Sequence, residues 1–390
     1  MNKKTRRKLA GDEDFDGLSH AQKSLPANYY TDPAWYQHEL DTVFYNNWVY
    51  LCHASTLAGA RSFRSFTIGD QGIFLVRDDK GLIHAYYNTC RHRGSAICVE
   101  AKGRFSSKLI RCPYHQWAYD FDGHLIATSS HAEGVDFDRA DYPLLTVAVK
   151  EWQGAIFVSL GDNPADFEAG LSRGADRIDN WPMEQLVVGH SWRKRMQCNW
   201  KLFWENFNEC LHCPNIHPEL SQLVPMYGRR ISASRDEPGW INHQNDKQPK
   251  YAGGLREGAS SWSLSGHSAA QFSTLSEEEV QRGQSYFVSL PSVFIAGHVD
   301  YMRSVRILPI SAEETEIEVE WLFLPETLEQ ENFDMNDITE FCILVMQQDA
   351  EACELNQKGL RSRSFKQGVL MPEEHHVKAF HDWVRLQTDQ

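Results

Sequence analysis

Two short segments constrain this chain more than anything else in it: Cys90-Arg91-His92 and, with nineteen residues between, Cys112-Pro113-Tyr114-His115. A Cys-x-His and a Cys-x2-His pair on two loops supply two thiols and two imidazoles. Such a set holds either one metal or two irons, the thiolates on one iron and the imidazoles on the other. Zinc ribbons space their ligands differently, as Cys-x2-Cys pairs or with two histidines together on a helix. The alternating order therefore favours a 2Fe-2S cluster, with a structural zinc as the alternative. Neutral imidazole ligands would raise its reduction potential well above that of an all-cysteine cluster.

The surrounding sequence, from about Trp48 to Leu160, reads as a small all-β domain. Short β-rich runs, Ser65 to Ile68, Gly72 to Val76, Leu82 to Tyr87, Trp117 to Phe121 and Gly154 to Leu160, are bounded by Gly69-Asp70, Asp79-Lys80-Gly81 and Asp122-Gly123. These are hairpin signals. At 390 residues the chain has room for two or three domains of about 150 residues each. Its 39 Lys and Arg against 53 Asp and Glu, a net charge of -14, argue against nucleic acid as a partner. The apolar runs, such as Ala155 to Val158 and Phe341 to Met346, fall far short of the roughly 20 residues of a membrane helix. Nine cysteines, an odd and sparse set, argue against a secreted disulfide framework. The basic start, Met1 to Leu9, leads into acidic Asp12 to Asp16 and not into an apolar stretch, so it reads as a frayed terminus and not as a signal peptide. A soluble, cytoplasmic protein is expected.

A second constellation follows at Asn199-Trp200-Lys201, Glu205-Asn206-Phe207-Asn208-Glu209, His212 and His217. After a strand-like stretch from Val187 to Met196, the spacing predicts a helix from Trp200 to Leu211, ended by Pro214 and Pro218. Histidines five apart on one straight helix would diverge by about 140°. With the helix ended at Pro214, His217 can return toward the point that His212 faces. Two histidines and a carboxylate form a facial triad that leaves three positions open on ferrous iron. Carboxylates are available on a long helix predicted from about Asn336 to Leu360, whose apolar stripe runs through Ile338, Phe341, Cys342 and Val345 to Ala352 and Cys353. Asp349 falls in that stripe, whereas Glu351 and Glu354 point elsewhere; a carboxylate on a buried face needs a partner such as a metal. Cys210 and Cys213 raise the possibility of a zinc site, but thiolates would saturate the metal, and both are read as packing residues. Between these elements lie a polar stretch from Arg229 to Gly266, read as a lid or long loop, and strands at Tyr286 to Leu290, Asp300 to Leu308 and Thr315 to Leu324.

Residues 89 to 123, from Thr89-Cys90-Arg91-His92-Arg93-Gly94 through Cys112-Pro113-Tyr114-His115-Gln116-Trp117 to Asp122-Gly123, resemble the Rieske segment of Rieske non-haem iron oxygenase large (alpha) subunits. The resemblance extends from about Tyr36 to the C-terminus. It implies an α+β chain: an N-terminal segment (1–44) packed with the catalytic domain, a Rieske 2Fe-2S domain (45–160), and a helix-grip catalytic domain of antiparallel sheet with helices (161–390). By the same resemblance Cys90, His92, Cys112 and His115 hold the cluster, while His212, His217 and Asp349 hold mononuclear Fe(II). Asp349 with Glu354, Gln357, Gly359 and Leu360 looks like the family segment that closes the triad. Glu209 stands where the family has an acidic residue, often Asp, linking the first iron histidine to a Rieske histidine of a neighbouring subunit, here expected to be His115. Asn199 is implied as a supporting catalytic residue, and a homotrimer as the assembly. The nineteen-residue spacing is long for the family and suggests an extended hairpin at Glu100 to Lys108.

Residues 91 to 111 hold six basic side chains against Glu100 alone, a local excess of +5 suited to docking an acidic electron donor. No Gly-x-Gly-x-x-Gly or flavin motif is present, so a separate NAD(P)H-dependent flavin/iron-sulfur reductase is implied. Residues 291 to 326 resemble the branch that demethylates glycine betaine and stachydrine. The expected reaction is O2-dependent hydroxylation of an N-methyl group of a quaternary ammonium compound, releasing formaldehyde. An aromatic-acid hydroxylase or O-demethylase is the alternative within the family; an electron carrier or zinc-stabilised binding protein is the alternative outside it. A cation pocket should hold aromatic side chains with a carboxylate nearby, an aromatic-acid pocket an Arg or Lys. With 12 Trp, 14 Tyr and 20 Phe in the chain, spacing does not name the residues of such a cage.

Overall fold

The computed structural model describes residues 17–171, 174–232, 254–268 and 270–389. Most of the Arg229 to Gly266 stretch, Met1 to Leu9 and the acidic run after it lie outside the described residues. In the first half, strands β3 (Ser62–Ile68), β4 (Gln71–Arg77), β5 (Ile83–Tyr87) and β6 (Lys102–Arg104) form an antiparallel sheet in the order β5-β4-β3-β6. The two-residue turn joining β3 to β4 needs glycine at position 69: its φ is +59°, and a Cβ there would lie 2.6 Å from the Tyr45 hydroxyl. A smaller sheet of β7 (Ile110–Arg111), β8 (Ala118–Tyr119) and β9 (Leu125–Ala127) carries the second cysteine-histidine segment. The insertion expected to form an extended hairpin at Glu100 to Lys108 does not pair with itself. Its strand β6 joins the edge of β3, with Gly103 opposite Phe63, because that edge offers unpaired backbone groups.

Strands β2 (Val49–His53), β10 (Ala148–Trp152) and β11 (Ala155–Ser159) form a third sheet, in which β11 is central. The second half is built on five antiparallel strands in the order β12-β16-β15-β14-β13: β12 (Val187–Met196), β13 (Gln284–Ser289), β14 (Val293–His298), β15 (Met302–Ser311) and β16 (Glu314–Phe323). Strand β14 has no signature in the sequence periodicity. Every residue in it is buried, so it has no alternation to detect. Five helices matter for the site: α1 (Pro33–Glu39), α2 (Trp200–Phe207), α3 (Cys213–Ile216), α4 (Met335–Leu360) and α5 (His375–Thr388). Helix α4 packs on the sheet, where the Tyr301 hydroxyl lies 3.4 Å from Cys342 Sγ. The result is α+β, an all-β unit beside an antiparallel sheet gripped by a long helix. Near the N-terminus, β1 (Gln22–Pro26) pairs with β17 (Gln367–Leu370) near the other end of the chain.

Buried charge joins the two halves. Arg64 on β3 donates to Glu320 at 2.8 Å and lies 3.3 Å from Glu318, both on β16, while Arg306 on β15 reaches Glu318 at 2.5 Å and the Leu51 carbonyl at 2.6 Å. The second Glu320 oxygen accepts from the backbone N–H of His53 at 2.9 Å and from the Tyr50 hydroxyl at 3.0 Å. A second buried pair seats α2: Lys201 Nζ lies 2.6 and 2.9 Å from the two Glu39 oxygens, and Trp35 and Trp200 donate to the same carboxylate. Removing one partner of such a pair leaves an uncompensated buried charge. Lys201→Met is expected to cost about 3–5 kcal/mol, read as a lower denaturant midpoint; an unchanged midpoint would mean that Glu39 is satisfied by its tryptophan donors alone.

Candidate active site

The two cysteine-histidine segments form matching tight loops at one end of the β unit. In the first, Cys90 N donates to Ser95 O and Gly94 N to Cys90 O; in the second, Cys112 N donates to Trp117 O and Gln116 N to Cys112 O. Each loop turns through a positive φ, at Gly94 (+75°) and at Gln116 (+61°). Cys90 and Cys112 are buried. His92 and His115 are on the outer side, their ring centroids 4.7 Å apart, and His92 stacks on Trp117 at 4.8 Å. Burial pushes the Cys90 thiol up, with the Cys112 thiol alongside adding to the effect, and the Tyr119 hydroxyl lies 3.2 Å from Cys90 Sγ. Desolvation, with the neighbouring His115 and Arg93, lowers His92 from its usual range. Two adjacent thiols inside and two adjacent imidazoles outside are the donor set that a Rieske cluster requires.

The second constellation folds differently from its sequence reading. Helix α2 stops at Phe207, not at Leu211, because Asn208 turns its side chain back to the Trp204 carbonyl at 2.8 Å. Pro214 begins a helix and does not end one: it sits in the first turn of α3, where its missing N–H is no loss. His212 and His217 cap the two ends of this single turn, and that is how residues five apart come to face one point. Glu209 lies in the preceding loop and not on a shared helix face with His212. Cys210 and Cys213, read as packing thiols, are joined by a disulfide that closes the loop around His212, and disulfide sulfurs are no longer thiolate ligands. The other seven cysteines are free.

His212, His217 and Asp349, the last on α4, offer ligand atoms that all lie within 4.8 Å of one another. Asp349 Oδ1 is 2.8 Å from His217 Nε2 and 3.5 Å from His212 Nε2. The opposite ring nitrogens are already engaged: His212 Nδ1 is 2.6 Å from Glu209 Oε1, and His217 Nδ1 is 2.8 Å from Gln348 Oε1. Partners of this kind fix ring orientation and tautomer, leaving both Nε2 atoms to converge on one cation. Glu209 is itself fixed by the Leu211 N–H. Against the opposing effect of burial, hydrogen bonds to Asp349 and Glu209 push His212 up to about 9, and the two imidazoles hold Asp349 down at about 2. With both imidazoles deprotonated, the trio's donors fit a 2-His-1-carboxylate iron site.

Asn199 is not brought to this site. Its carboxamide caps α2, accepting from Lys201 N at 3.1 Å and donating to the Ala312 carbonyl at 2.7 Å. The asparagine hydrogen-bonded at the triad is Asn206, 3.4 Å from His212 Nε2, whose place one residue before the end of α2 is not evident from sequence. A cavity of about 330 Å³ opens onto the triad. One wall is a cluster of aromatic rings that sequence did not identify: Phe207 stacks on Phe294 with centroids 4.4 Å apart, and Tyr286 lies 6.0 and 6.2 Å from the two. Trp262 and the buried Arg303 also line the cavity, and Arg177 lies at its exposed edge.

These features define an oxygenase subunit that pairs a Rieske cluster with a mononuclear iron. Residues 47–147 match the family described as Rieske [2Fe-2S] domain, and residues 183–390 match the Ring hydroxylating alpha subunit (catalytic domain). The chain belongs to the Rieske non-haem iron oxygenase alpha subunits, whose cofactors are the 2Fe-2S cluster and mononuclear iron. It is 30% identical to the glycine betaine monooxygenase oxygenase subunit of Chromohalobacter salexigens, over 92% of this chain and 84% of that one. It is 31% identical to the carnitine monooxygenase oxygenase subunit of Escherichia coli, over 54% of this chain and 57% of the relative. The fold is similar to that of a quaternary ammonium Rieske monooxygenase crystallised with L-carnitine (TM-score 0.73, 21% identity, 98% of this chain and 99% of that one). No helix among the described residues is long and apolar enough to cross a membrane.

Two outcomes are expected. Asp349→Ala should lose one iron per chain in metal analysis while keeping the visible spectrum of the cluster; loss of both signals, or of neither, would refute the separation of the two centres. Because His212 must shed a proton to bind a metal and holds it up to about pH 9, anaerobic Fe(II) uptake should strengthen as pH rises from 6 toward 9, with proton release. A flat profile would contradict this.

Proposed function

We propose that this chain is the terminal oxygenase component of a Rieske-type monooxygenase that hydroxylates an N-methyl group of a quaternary ammonium compound of the betaine type. Cys90 and Cys112 would bind one iron of the cluster, His92 and His115 the other, and His212, His217 and Asp349 the mononuclear Fe(II). When bound, these groups supply electron transfer and O2 activation. The chain's own residues orient the substrate and keep water out. The observation that carries this reading is the Phe207, Tyr286 and Phe294 cluster beside the triad, since aromatic faces attract a quaternary ammonium ion. The names of the two relatives support it. The product, a carbinolamine, would break down to formaldehyde and the demethylated amine.

Electrons would come from an NAD(P)H-dependent flavin/iron-sulfur reductase, in the cytoplasm. Within a homotrimer, Glu209 would link His212 to His115 of a neighbouring subunit. This is supported by a hollow of about 210 Å³ that reaches Glu209 and His212 and is also lined by Glu205 and Glu374, an acidic counterpart to the basic surroundings of the cluster. A pure electron carrier would have no use for the open-sided triad. Arg303 on the cavity wall favours a second reading, an aromatic-acid hydroxylase or O-demethylase.

Formaldehyde release distinguishes the two. The iron-loaded protein, supplied with a ferredoxin-type reductase and NADH, is expected to release formaldehyde with glycine betaine or another betaine. Release from methoxylated aromatic acids alone would overturn the proposal.

A further inference from the structure

Arg303 is only 4% exposed, yet its Nε and Nη1 have no hydrogen-bond partner among the described residues. The same holds for Nε1 of Trp262, which is 2% exposed. Both side chains line the cavity in front of the triad, and the guanidinium lies 5.8 Å from the Trp262 ring and 5.7 Å from Phe294. The Tyr286 hydroxyl is alongside it. Sheet register explains the placement. Tyr286, Ala296, Arg303 and Trp321 are directly opposed across four strands and therefore share one face, and the small Ala296 leaves room between the tyrosine and the arginine.

Arginine and the indole N–H can only donate hydrogen bonds. Two donor-only side chains that keep buried, unpaired N–H groups and open into a substrate cavity are complementary to a group that can only accept. A carboxylate is such a group. A bare alkylammonium ion would meet the opposite, an uncompensated positive charge near the aromatic rings that should hold it. The two carboxylates lining the same cavity, Glu209 and Asp349, are taken up by the triad histidines. We infer that Arg303, with Trp262, binds the carboxylate of a zwitterionic substrate, so that the enzyme acts on betaines and discriminates against quaternary ammonium compounds lacking an anionic group. This rests on the quaternary ammonium reading above and narrows it. It also accounts for a cavity that combines aromatic faces with an arginine.

Glycine betaine and choline test this, because they share the trimethylammonium group and differ in the carboxylate. Calorimetric titration of the cluster-loaded protein needs no reductase and should show glycine betaine bound at least about 30-fold more tightly than choline. Turnover with reductase and NADH should show the same preference in kcat/KM. In Arg303→Gln, that preference should fall by about 30-fold, mainly through the KM for glycine betaine, with Arg303→Lys partly restoring it. The absorption spectrum of the cluster reports that each variant is folded. Equal binding of the two compounds by the wild type, or an equal loss for both in Arg303→Gln, would overturn the role of Arg303 and leave the N-demethylase reading intact. Turnover of no quaternary ammonium compound, with turnover of a methoxylated aromatic acid, would overturn both.

Discussion

A carboxylate on the inner face of a helix, drawn between two imidazoles, sets the geometry of the catalytic half. Asp349 is held near a charge of -1 by its contacts with His212 and His217, which in turn are raised toward the protonated form. Such a carboxylate is costly to bury without positive partners, and a metal cation would take over that role as the imidazoles give up their protons. The surrounding structure serves the convergence. The early end of α2, the single turn of α3 and the Cys210–Cys213 disulfide bring the two histidines round, while Glu209 and Gln348 take the opposite ring nitrogens. The buried Lys201–Glu39 pair then ties the start of α2 to the N-terminal segment.

The β unit is tied to this half by the Arg64, Arg306, Glu318 and Glu320 network. Buried ion pairs contribute less to stability than their distances suggest, because desolvation offsets much of the attraction. Their directional demands do suit an interface that has to keep one relative orientation. Tyr50 and the His53 backbone extend the network to β2, so a change at Glu320 would affect both halves at once.

The chemistry-bearing residues were the most legible part of the sequence. The cysteine-histidine loops follow a spacing that few metal sites use, and Asp349 interrupts an apolar helical stripe. Strand β12 and helix α4 were also readable, because each keeps one clear period. What escaped did so for identifiable reasons. Strand β14 is buried throughout and carries no alternation. Asn199 belongs to a motif that the family resemblance marks as catalytic, but its carboxamide is spent on capping α2. The loop around His212 depends on a tertiary cross-link and a helix start at proline, neither of which local periodicity reports. Arg303, Tyr286 and Phe294 come together through the register of β13, β14 and β15, and Phe207 joins them from α2, so no window of sequence displays them as one site.

The central claim is that one chain holds two separate iron centres, one on the Cys90, His92, Cys112 and His115 loops and one on His212, His217 and Asp349. Anomalous diffraction at the iron edge, from crystals grown without oxygen, tests it most directly. The account predicts two iron peaks per chain: a two-iron peak between the paired thiols and the paired imidazoles, and a single-iron peak among the three triad side chains. Iron at the first position only, in fully iron-loaded protein, or a metal held by Cys210 and Cys213, would contradict it.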